Sequence, residues 1–386
     1  AALIKPQFEA GRENIGKNGI VKSRNIHIDV INEIIALISE NGFGVIGLCY
    51  SPITGSKGNI EYLICMKKGE DNKKIYDVKK IVSEAFLNLL KNKWVKLKSE
   101  ENMKAAVFPN FQKNNALECA RAVCDILHNI DIEVWVDQSY CRDFKDKKSV
   151  KFGLFDEFVK GADFALAIGG DGTILKCASH LIECKTKLLG INTGRLGFMS
   201  ALEFDQLDCL NGLKNGDYNV IERMMLECEI NGNGKNKVFT ALNDITMSGM
   251  YSSICDFKIF DDKGRIGAYR ADGAIFSTPT GSTAYSLSAG GPIIDPGMEC
   301  IEMTLICPHS LFARPMIFKA DKKIKFVQDN KDNRKIYVCV DGNAPVMLEA
   351  GDIVEIRRSE NKIHLINMND NSFYNSLNKK MMHPIK

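Results

Sequence analysis

Phe164-Ala165-Leu166-Ala167-Ile168-Gly169-Gly170-Asp171-Gly172-Thr173 is an apolar run that ends in a glycine-framed carboxylate. The run is short enough for a buried parallel strand. The following Ile174-Leu175-Lys176-Cys177-Ala178-Ser179-His180 reads as a helix. Glycines let the backbone approach a ligand closely and expose its N–H groups. A helix N-terminus adds partial positive charge, which suits phosphate. Asp171 is poorly placed for passive phosphate binding. It is well placed to orient a nucleophilic hydroxyl, take its proton or hold a metal. The combination points to phosphoryl transfer to an alcohol, although Gly-Gly-Asp-Gly alone is also a common turn.

A second segment strengthens the first. Tyr269-Arg270-Ala271-Asp272-Gly273 leads through Ala274-Ile275-Phe276-Ser277 into Thr278-Pro279-Thr280-Gly281-Ser282-Thr283-Ala284-Tyr285-Ser286-Leu287-Ser288-Ala289-Gly290-Gly291-Pro292. Its hydroxyls offer donors and acceptors at short reach, and Pro279 with Gly281 sets a turn among them. Tyr285 can stack on a base or hydrogen-bond to a ribose. A Ser/Thr-rich surface loop is the alternative, but the flanks are apolar and carry no long charge run. Leu189 to Met199 reads as a strand entering another glycine turn, and Leu242-Asn243-Asp244-Ile245 sets an amide beside a carboxylate at a strand start. Asn-Asp pairs are common in turns and caps.

Together these residues resemble the NAD kinase family. That family's pattern is a Gly-Gly-Asp-Gly-Thr loop, an Asn-x-Gly-x-Leu-Gly-Phe loop, an Asn-Glu/Asp pair and a Thr-Pro-Thr-Gly-Ser-Thr-Ala-Tyr run, and all four occur here in order. Cys307-Pro308-His309-Ser310-Leu311-Phe312-Ala313-Arg314-Pro315 and Val340-Asp341-Gly342-Asn343 look like further family segments. The resemblance covers roughly residues 103–386. The Thr-Pro-Thr-Gly-Ser-Thr-Ala-Tyr run makes it specific, because lipid kinases and phosphofructokinases carry similar Gly-Gly-Asp-Gly loops.

The resemblance implies an ATP- and metal-dependent enzyme that phosphorylates the 2′-hydroxyl of the adenosine ribose of NAD. Asp171 would activate that hydroxyl. Asn243 and Asp244 would hold ribose or nicotinamide-side groups. Thr283, Ala284 and Tyr285 would line the adenine and ribose pocket, and Asp272 would contact the nicotinamide end. Gly172, Phe198, Arg270, Thr280, Ser288 and Asn343 complete the implied substrate-binding set, with Asn192 in the turn beside Phe198. ATP and NAD would be the substrates, Mg²⁺ or another divalent cation the metal, with no ligands for it assigned. The implied fold is α/β plus β: an α/β kinase domain over 103–218, a mostly antiparallel, NAD-binding β domain over 219–365, and a tail over 366–386 that returns to the α/β domain. The active site would lie in the cleft between the two domains, in a homo-oligomer, dimer or tetramer. Asp244 departs from the Glu of many members, and Asn343 stands at a variable position.

The residue chemistry agrees. A ribose hydroxyl is a poor nucleophile near neutral pH, and a carboxylate within reach can accept its proton. Phosphoryl transfer also needs charge neutralisation by a divalent ion and backbone amides. No P-loop lysine motif is present, which argues against a Walker-type NTPase. The glycine turns lack the Gly-x-Gly-x-x-Gly spacing of a dehydrogenase. A lipid kinase would not need the Thr278–Tyr285 run, and a nucleotide sensor with a dead site would not need Asp171.

Residues 1–98 carry a separate signature. An abrupt start without an initiator Met, Ala2-Leu3-Ile4-Lys5-Pro6-Gln7-Phe8-Glu9-Ala10-Gly11-Arg12, precedes a helix with Ile28, Ile31, Ile35 and Ile38 on one face. Val45-Ile46-Gly47-Leu48 and Gly58-Asn59-Ile60-Glu61-Tyr62-Leu63 follow, and Val78, Val82, Ala85, Phe86 and Leu89 mark a closing amphipathic helix. The stretch resembles the C-terminal end of hemolysin-A-type ribosomal RNA ribose methyltransferases, with Lys5 and Glu61 matching the last two members of that family's Lys-Asp-Lys-Glu tetrad. The first two members and the methyl-donor glycine loop are missing. The expectation is a partial Rossmann-type fragment without activity, marginal in stability because of its exposed strand edge. It would be joined to the kinase through a junction at 99–102, with Met103 as the ancestral start. A bifunctional enzyme would need the missing half on another chain.

From Met103 the kinase starts as β-α-β: Lys104 to Asn110 reads as strand and turn, Leu117, Ala120, Cys124 and Leu127 lie at helical spacing, and Glu133 to Val136 reads as the next strand. From Asn219 the pattern is strand-rich and turn-punctuated, which suits an antiparallel β domain. Asn371 to Lys386 looks like a short helical tail. The 386 residues suit two or three domains and are 45% hydrophobic. A net charge of +3 argues for no polyanionic partner such as nucleic acid, leaving small-molecule nucleotides as partners. No run reaches the ~18 apolar residues of a membrane span, and no signal peptide is visible. Thirteen cysteines without Cys-x-x-Cys spacing read as buried thiols of a reducing cytoplasm. Each of the six His has an ordinary reading as a polar surface or core residue.

Overall fold

Two units divide the chain, Ala1–Glu101 and Asn102–Lys386. The computed structural model describes all residues except 12–20, 22, 53–54, 56–58, 70–75, 87–102, 195–196, 233–234, 251–252, 311, 330–333, 350, 369–372 and 383–386. The junction at 99–102, Leu89, Gly58, Arg195-Leu196 and the end of the tail therefore lie outside the described residues.

In the first unit, β1 (Ala2–Ile4), α1 (Pro6–Glu9), α2 (Arg24–Glu40), β2 (Phe43–Tyr50), β3 (Tyr62–Lys68) and α3 (78–86) surround one small core. β3 is central and pairs antiparallel with β1 and β2. The isoleucine period of α2 buries Ile31 and Ile38, while Ile28 and Ile35 stay half-buried at its edge. Val78, Val82, Ala85 and Phe86 are buried as their spacing predicts. His27, read in the sequence as unremarkable, is fully buried, with Tyr62 Oη 3.0 Å from its Nδ1. Burial lowers its affinity for a proton. The sheet's other face leaves the register pair Leu3 and Leu63 exposed.

In the second unit, β4 (Lys104–Pro109), α4 (Ala116–Asn129), β5 (Glu133–Asp137), β6 (Val150–Gly153), α5 (Phe155–Phe158), β7 (Phe164–Gly169), α6 (Asp171–Ser179) and β8 (Lys187–Asn192) build a parallel sheet in the order β6-β5-β4-β7-β8. All six residues of β7 are buried, as a central parallel strand requires. The strand order reverses between β4 and β7, and ligands of open α/β sheets bind outside the carboxyl ends of strands at such a point. Asp171 stands there. The helix begins at Asp171 itself, one turn earlier than the apolar pattern indicates, so Gly172 lies in its first turn. α4 buries Cys119, Ala120, Val123, Cys124 and Leu127, but Leu117 in its first turn is exposed.

The strand-rich remainder comprises β9 (Leu202–Glu203), β10 (Asn219–Gly232), β11 (Lys235–Ala241), β12 (Asp244–Gly249), β13 (Cys255–Asp261), β14 (Gly264–Ala271), β15 (Gly273–Ser277), α7 (Tyr285–Ser288), β16 (Cys300–Ile306), β17 (Met316–Lys319), β18 (Ile324–Gln328), β19 (Ile336–Val340), β20 (Val346–Met347), β21 (Ile353–Asn367) and α8 (Phe373–Met382). One antiparallel sheet runs β17-β16-β15-β12-β19-β20. It packs against a second antiparallel layer that includes β10, β13, β18 and β21. Phe257, Phe276, Phe326, Met303, Val338 and Ile356 fill the space between them. Burying each such side chain contributes roughly 1.5–3 kcal/mol. β21 also joins β8 in parallel at Leu365↔Leu188, so the second layer continues into the parallel sheet. β21 runs unbroken through residues 365 and 366, and Ile366 already belongs to the α/β core. Phe373 of α8 packs on Phe198 with ring centroids 6.2 Å apart.

Candidate nucleotide site

Asp171 is the first residue of α6 and is half-buried. Its Oδ2 accepts the N–H of Phe198 at 2.9 Å and its Oδ1 that of Met199 at 3.2 Å. The second glycine turn thus folds back to hold the carboxylate of the first. Gly197 is required for this closure: a β-carbon there would strike Asp171 Oδ1 and stand 2.9 Å from Ser200 Oγ. Asn110, at the end of β4, donates from Nδ2 to Thr173 Oγ1 at 3.2 Å and ties the two sides of the reversal together. Asn192 spends its amide on its own turn, exchanging hydrogen bonds with Gly194 N and O at 3.2 Å. Thr193 beside it is buried with its Oγ1 unpartnered.

The Asn243–Asp244 turn is built from the far end of the chain. Asp341 accepts the N–H groups of Leu242, Asn243 and Asp244 at 2.7, 2.8 and 3.0 Å. Thr278 closes the other side, with its N–H on Asn243 O at 2.8 Å and its Oγ1 on Leu242 O at 2.6 Å. A β-carbon on Gly281 would collide with Asn243 O, so only glycine fits there. Leu242 shares an apolar cluster with Ile174 and Met199, which brings this turn beside the Asp171 cradle. Asn243 Oδ1 is buried without a partner, a feature expected where a ligand completes a hydrogen bond. Asp244 is 8% exposed. Burial first, and then the charge of Asp341, push its carboxyl up to about 6. Asp341 is also raised by burial, against its three N–H donors.

Tyr285 is half-exposed at the end of the hydroxylic loop. Partial desolvation raises its phenol, and the charges of Cys307, Asp244 and Asp272 add to this, which sets all three near the ring. Asp272 sits in the turn between β14 and β15, anchored by its N–H on Ile306 O at 2.9 Å. Thr283 donates to Thr280 O at 3.3 Å, and Ala284 lies between the 3-10 turn and α7. Gly172 and Ser288 are exposed at the rim of their helices. Arg270 is committed elsewhere: its Nε and Nη2 bind Asp256 at 2.8 and 2.7 Å. Asn343 is exposed in the turn after Asp341 and lines a separate groove with Ile182, Val238 and Val346.

Asp341, Thr278 and the fully buried Glu302 are residues to which the sequence reading assigned no role. Asp341 had a local signal, the Asp341-Gly342 pair, a turn dipeptide that suits the left-handed backbone found at Asp341 (φ 48°). Glu302 had none, because a Glu alternating with apolar residues in a strand reads as solvent-facing.

A half-buried carboxylate at a helix N-terminus beside a hydroxyl-lined, amide-bearing turn defines a nucleotide-dependent phosphotransferase site. Comparison with known proteins gives the class its name. Residues 105–218 match the ATP-NAD kinase N-terminal domain, and 242–368 match the ATP-NAD kinase C-terminal domain. An NAD kinase of Caldanaerobacter subterraneus subsp. tengcongensis is 34% identical over 281 residues, 72% of this chain and 98% of the relative. An NAD kinase of Moorella thermoacetica is 38% identical over 231 residues, 59% of this chain and 74% of the relative. The crystal structure of yeast NADH kinase complexed with NADH aligns with a TM-score of 0.67 and 26% identity, covering 74% of this chain and 89% of that one. An Archaeoglobus fulgidus NAD kinase in complex with ATP shares the fold, with a TM-score of 0.56 and 23% identity over 72% of this chain and 99% of that one. The chain belongs to the NAD kinase family. Residues 1–68 match an FtsJ-like methyltransferase.

Proposed function

We propose that the second unit transfers the terminal phosphoryl group of ATP to the 2′-hydroxyl of the adenosine ribose of NAD, giving NADP and ADP. The observation that carries the reading is the Asp171 cradle. Two backbone N–H groups hold the carboxylate at the carboxyl end of β7, where the strand order reverses. As the ribose oxygen bonds to the phosphorus, the bond from phosphorus to the bridging oxygen of ADP breaks, and the hydroxyl proton passes to Asp171. The N-terminal amides of α6 face the phosphates. Asn243 Oδ1, unpartnered in its buried position, and the Asp244 carboxyl would accept hydrogen bonds from NAD hydroxyl or amide groups. Thr283, Ala284 and Tyr285 would receive the adenosine.

Among the described residues no group of three or more His, Cys, Asp or Glu forms a metal cage. Mg²⁺ would be carried chiefly by the phosphates of ATP. The cation would neutralise charge on the transferring group. Arg270, paired with Asp256, would reach substrate only by leaving that partner. Cys119 and Cys124, whose thiols burial pushes up to about 12, act as small apolar residues, but Cys49, Cys141 and Cys307 are exposed, so burial does not hold for all thirteen cysteines; a cytoplasmic location is part of the proposal. Among the described residues no helix is long and apolar enough to cross a membrane. A homo-oligomer remains part of the proposal.

For the first unit the reading is the closing part of a methyltransferase-like fold. Within it Lys5 Nζ and Glu61 Oε1, the two residues that match the family's tetrad, stand 3.9 Å apart. NADP formation from NAD, ATP and Mg²⁺ by the full chain tests the kinase reading, with Asp171→Asn as control. A folded full chain that makes no NADP would overturn it.

A further inference from the structure

β16 alternates between two environments. Ile301, Met303 and Leu305 point into the core between the antiparallel layers. Glu302 and Thr304 point the other way, yet are 0% and 1% exposed. The hydroxylic segment that follows β15 covers them. Glu302 Oε2 accepts from Ser277 Oγ at 2.7 Å, and its Oε1 accepts from Ser286 Oγ at 2.6 Å and Thr304 Oγ1 at 2.9 Å. Ser277 and Ser286 are themselves fully buried.

The positions of these donors matter. Ser277 is the last residue of β15 and immediately precedes Thr278. Ser286 lies in α7 and immediately follows Tyr285. One carboxyl group therefore ties together both ends of the Thr278–Tyr285 loop. Gly291 confirms the tightness of the knot: a β-carbon there would strike Glu302 Oε1 and Ser286 Oγ. Ser277 also pairs with Asp244 on β12 and with Glu302 on β16, so Asp244, Ser277 and Glu302 form one row across three strands. A buried carboxyl is costly unless hydrogen-bonded, and an apolar side chain would fill the same space without that cost. What the apolar side chain cannot do is fix two chain segments through directed hydrogen bonds.

We propose that Glu302 is a positioning residue for NAD: by clamping Ser277 and Ser286 it sets Thr283, Ala284 and Tyr285 in the geometry that receives the adenosine. The proposal rests on the NAD kinase reading and adds a residue that does not touch substrate.

The test uses the full chain with Glu302→Ala, Glu302→Gln and Ser286→Ala. Steady-state NADP formation gives kcat and both KM values, and hydrogen exchange of residues 278–291 is followed without nucleotide. Glu302→Ala is expected to raise KM for NAD about tenfold or more, the scale of one lost hydrogen bond, with kcat and KM for ATP within about threefold. The loop amides should exchange faster. Gln keeps an oxygen for Ser286 and Thr304, so Glu302→Gln should restore both readouts. An unchanged KM for NAD in Glu302→Ala would overturn the proposal, as would kcat and both KM values moving together with the folded fraction. If Glu302→Ala does not fold, Ser286→Ala removes one tether alone, and an unchanged KM for NAD there overturns the proposal equally. A wild-type chain that makes no NADP would refute the kinase reading, while loop exchange would still report whether Glu302 is the clamp.

Discussion

Two carboxyl groups of the site live under opposite conditions. Asp171, in the parallel half, is half-buried at a helix N-terminus and is met by two N–H donors. Asp244, in the sandwich half, is 8% exposed, faces Asp341 and has the Thr246 hydroxyl at 3.3 Å as its side-chain donor. For Asp244, burial beside a like charge favours the protonated form, whereas at Asp171 the two N–H donors fix where the carboxylate sits. The two settings match the proposed roles, general base for Asp171 and substrate binding for Asp244.

The largest effect should come from the first half. Asp171→Asn is expected to lower kcat by about 10²–10⁴-fold, the range of a general base, with little change in denaturation midpoint. Retained activity would place the base elsewhere and erase the contrast. Asp244→Asn should do the reverse for stability. Asp244 binds its proton more tightly folded, near 6, than at its ordinary 3.8. Between those values the folded state holds more protons, so wild-type stability falls as pH rises. Removing that titration should make Asp244→Asn more stable than wild type at pH 8, by up to about 3 kcal/mol, with the gain shrinking towards pH 4. Urea midpoints across that pH range check it, and a pH-independent difference would refute it.

Gly197→Ala probes the cradle without altering its carboxylate. The new β-carbon strikes Asp171 Oδ1 and should lower kcat about tenfold while KM for NAD stays near wild type. Smallest of all, Thr246→Val removes the hydroxyl donor of Asp244. It should cost about 1 kcal/mol or less and move the pH midpoint of stability further upward. A downward shift would mean that the hydroxyl does not favour the charged form.

Where chemistry is written locally, the sequence was readable. The apolar run of β7, the glycines after it and the Thr278–Tyr285 hydroxyls depend on residue type and spacing alone, and they identified the family and the carboxylate. The limits of local reading are equally specific. Leu117 fits the helical period of α4, but its place in the first turn leaves it exposed. Arg270 belongs to the implied substrate-binding set, and its pairing with Asp256 on the neighbouring strand is not legible from spacing. Asn192 reads as a residue of the turn beside Phe198, and only the structure shows its amide bonding within that turn.

By itself, then, the sequence determined a parallel strand ending in a glycine-framed aspartate, a β-rich half bearing a hydroxylic loop, and a separate methyltransferase-like start. Tertiary structure alone decided who holds those groups. Asp341 clamps a turn that lies 97 to 99 residues earlier, and Phe198 and Met199 hold an aspartate 27 and 28 residues before them. Glu302 alternates with apolar neighbours like any outward strand residue until a loop folds over it. Hydrogen-bond partners are selected by distance in space and by loss of water, and neither is encoded in the spacing of residues along the chain.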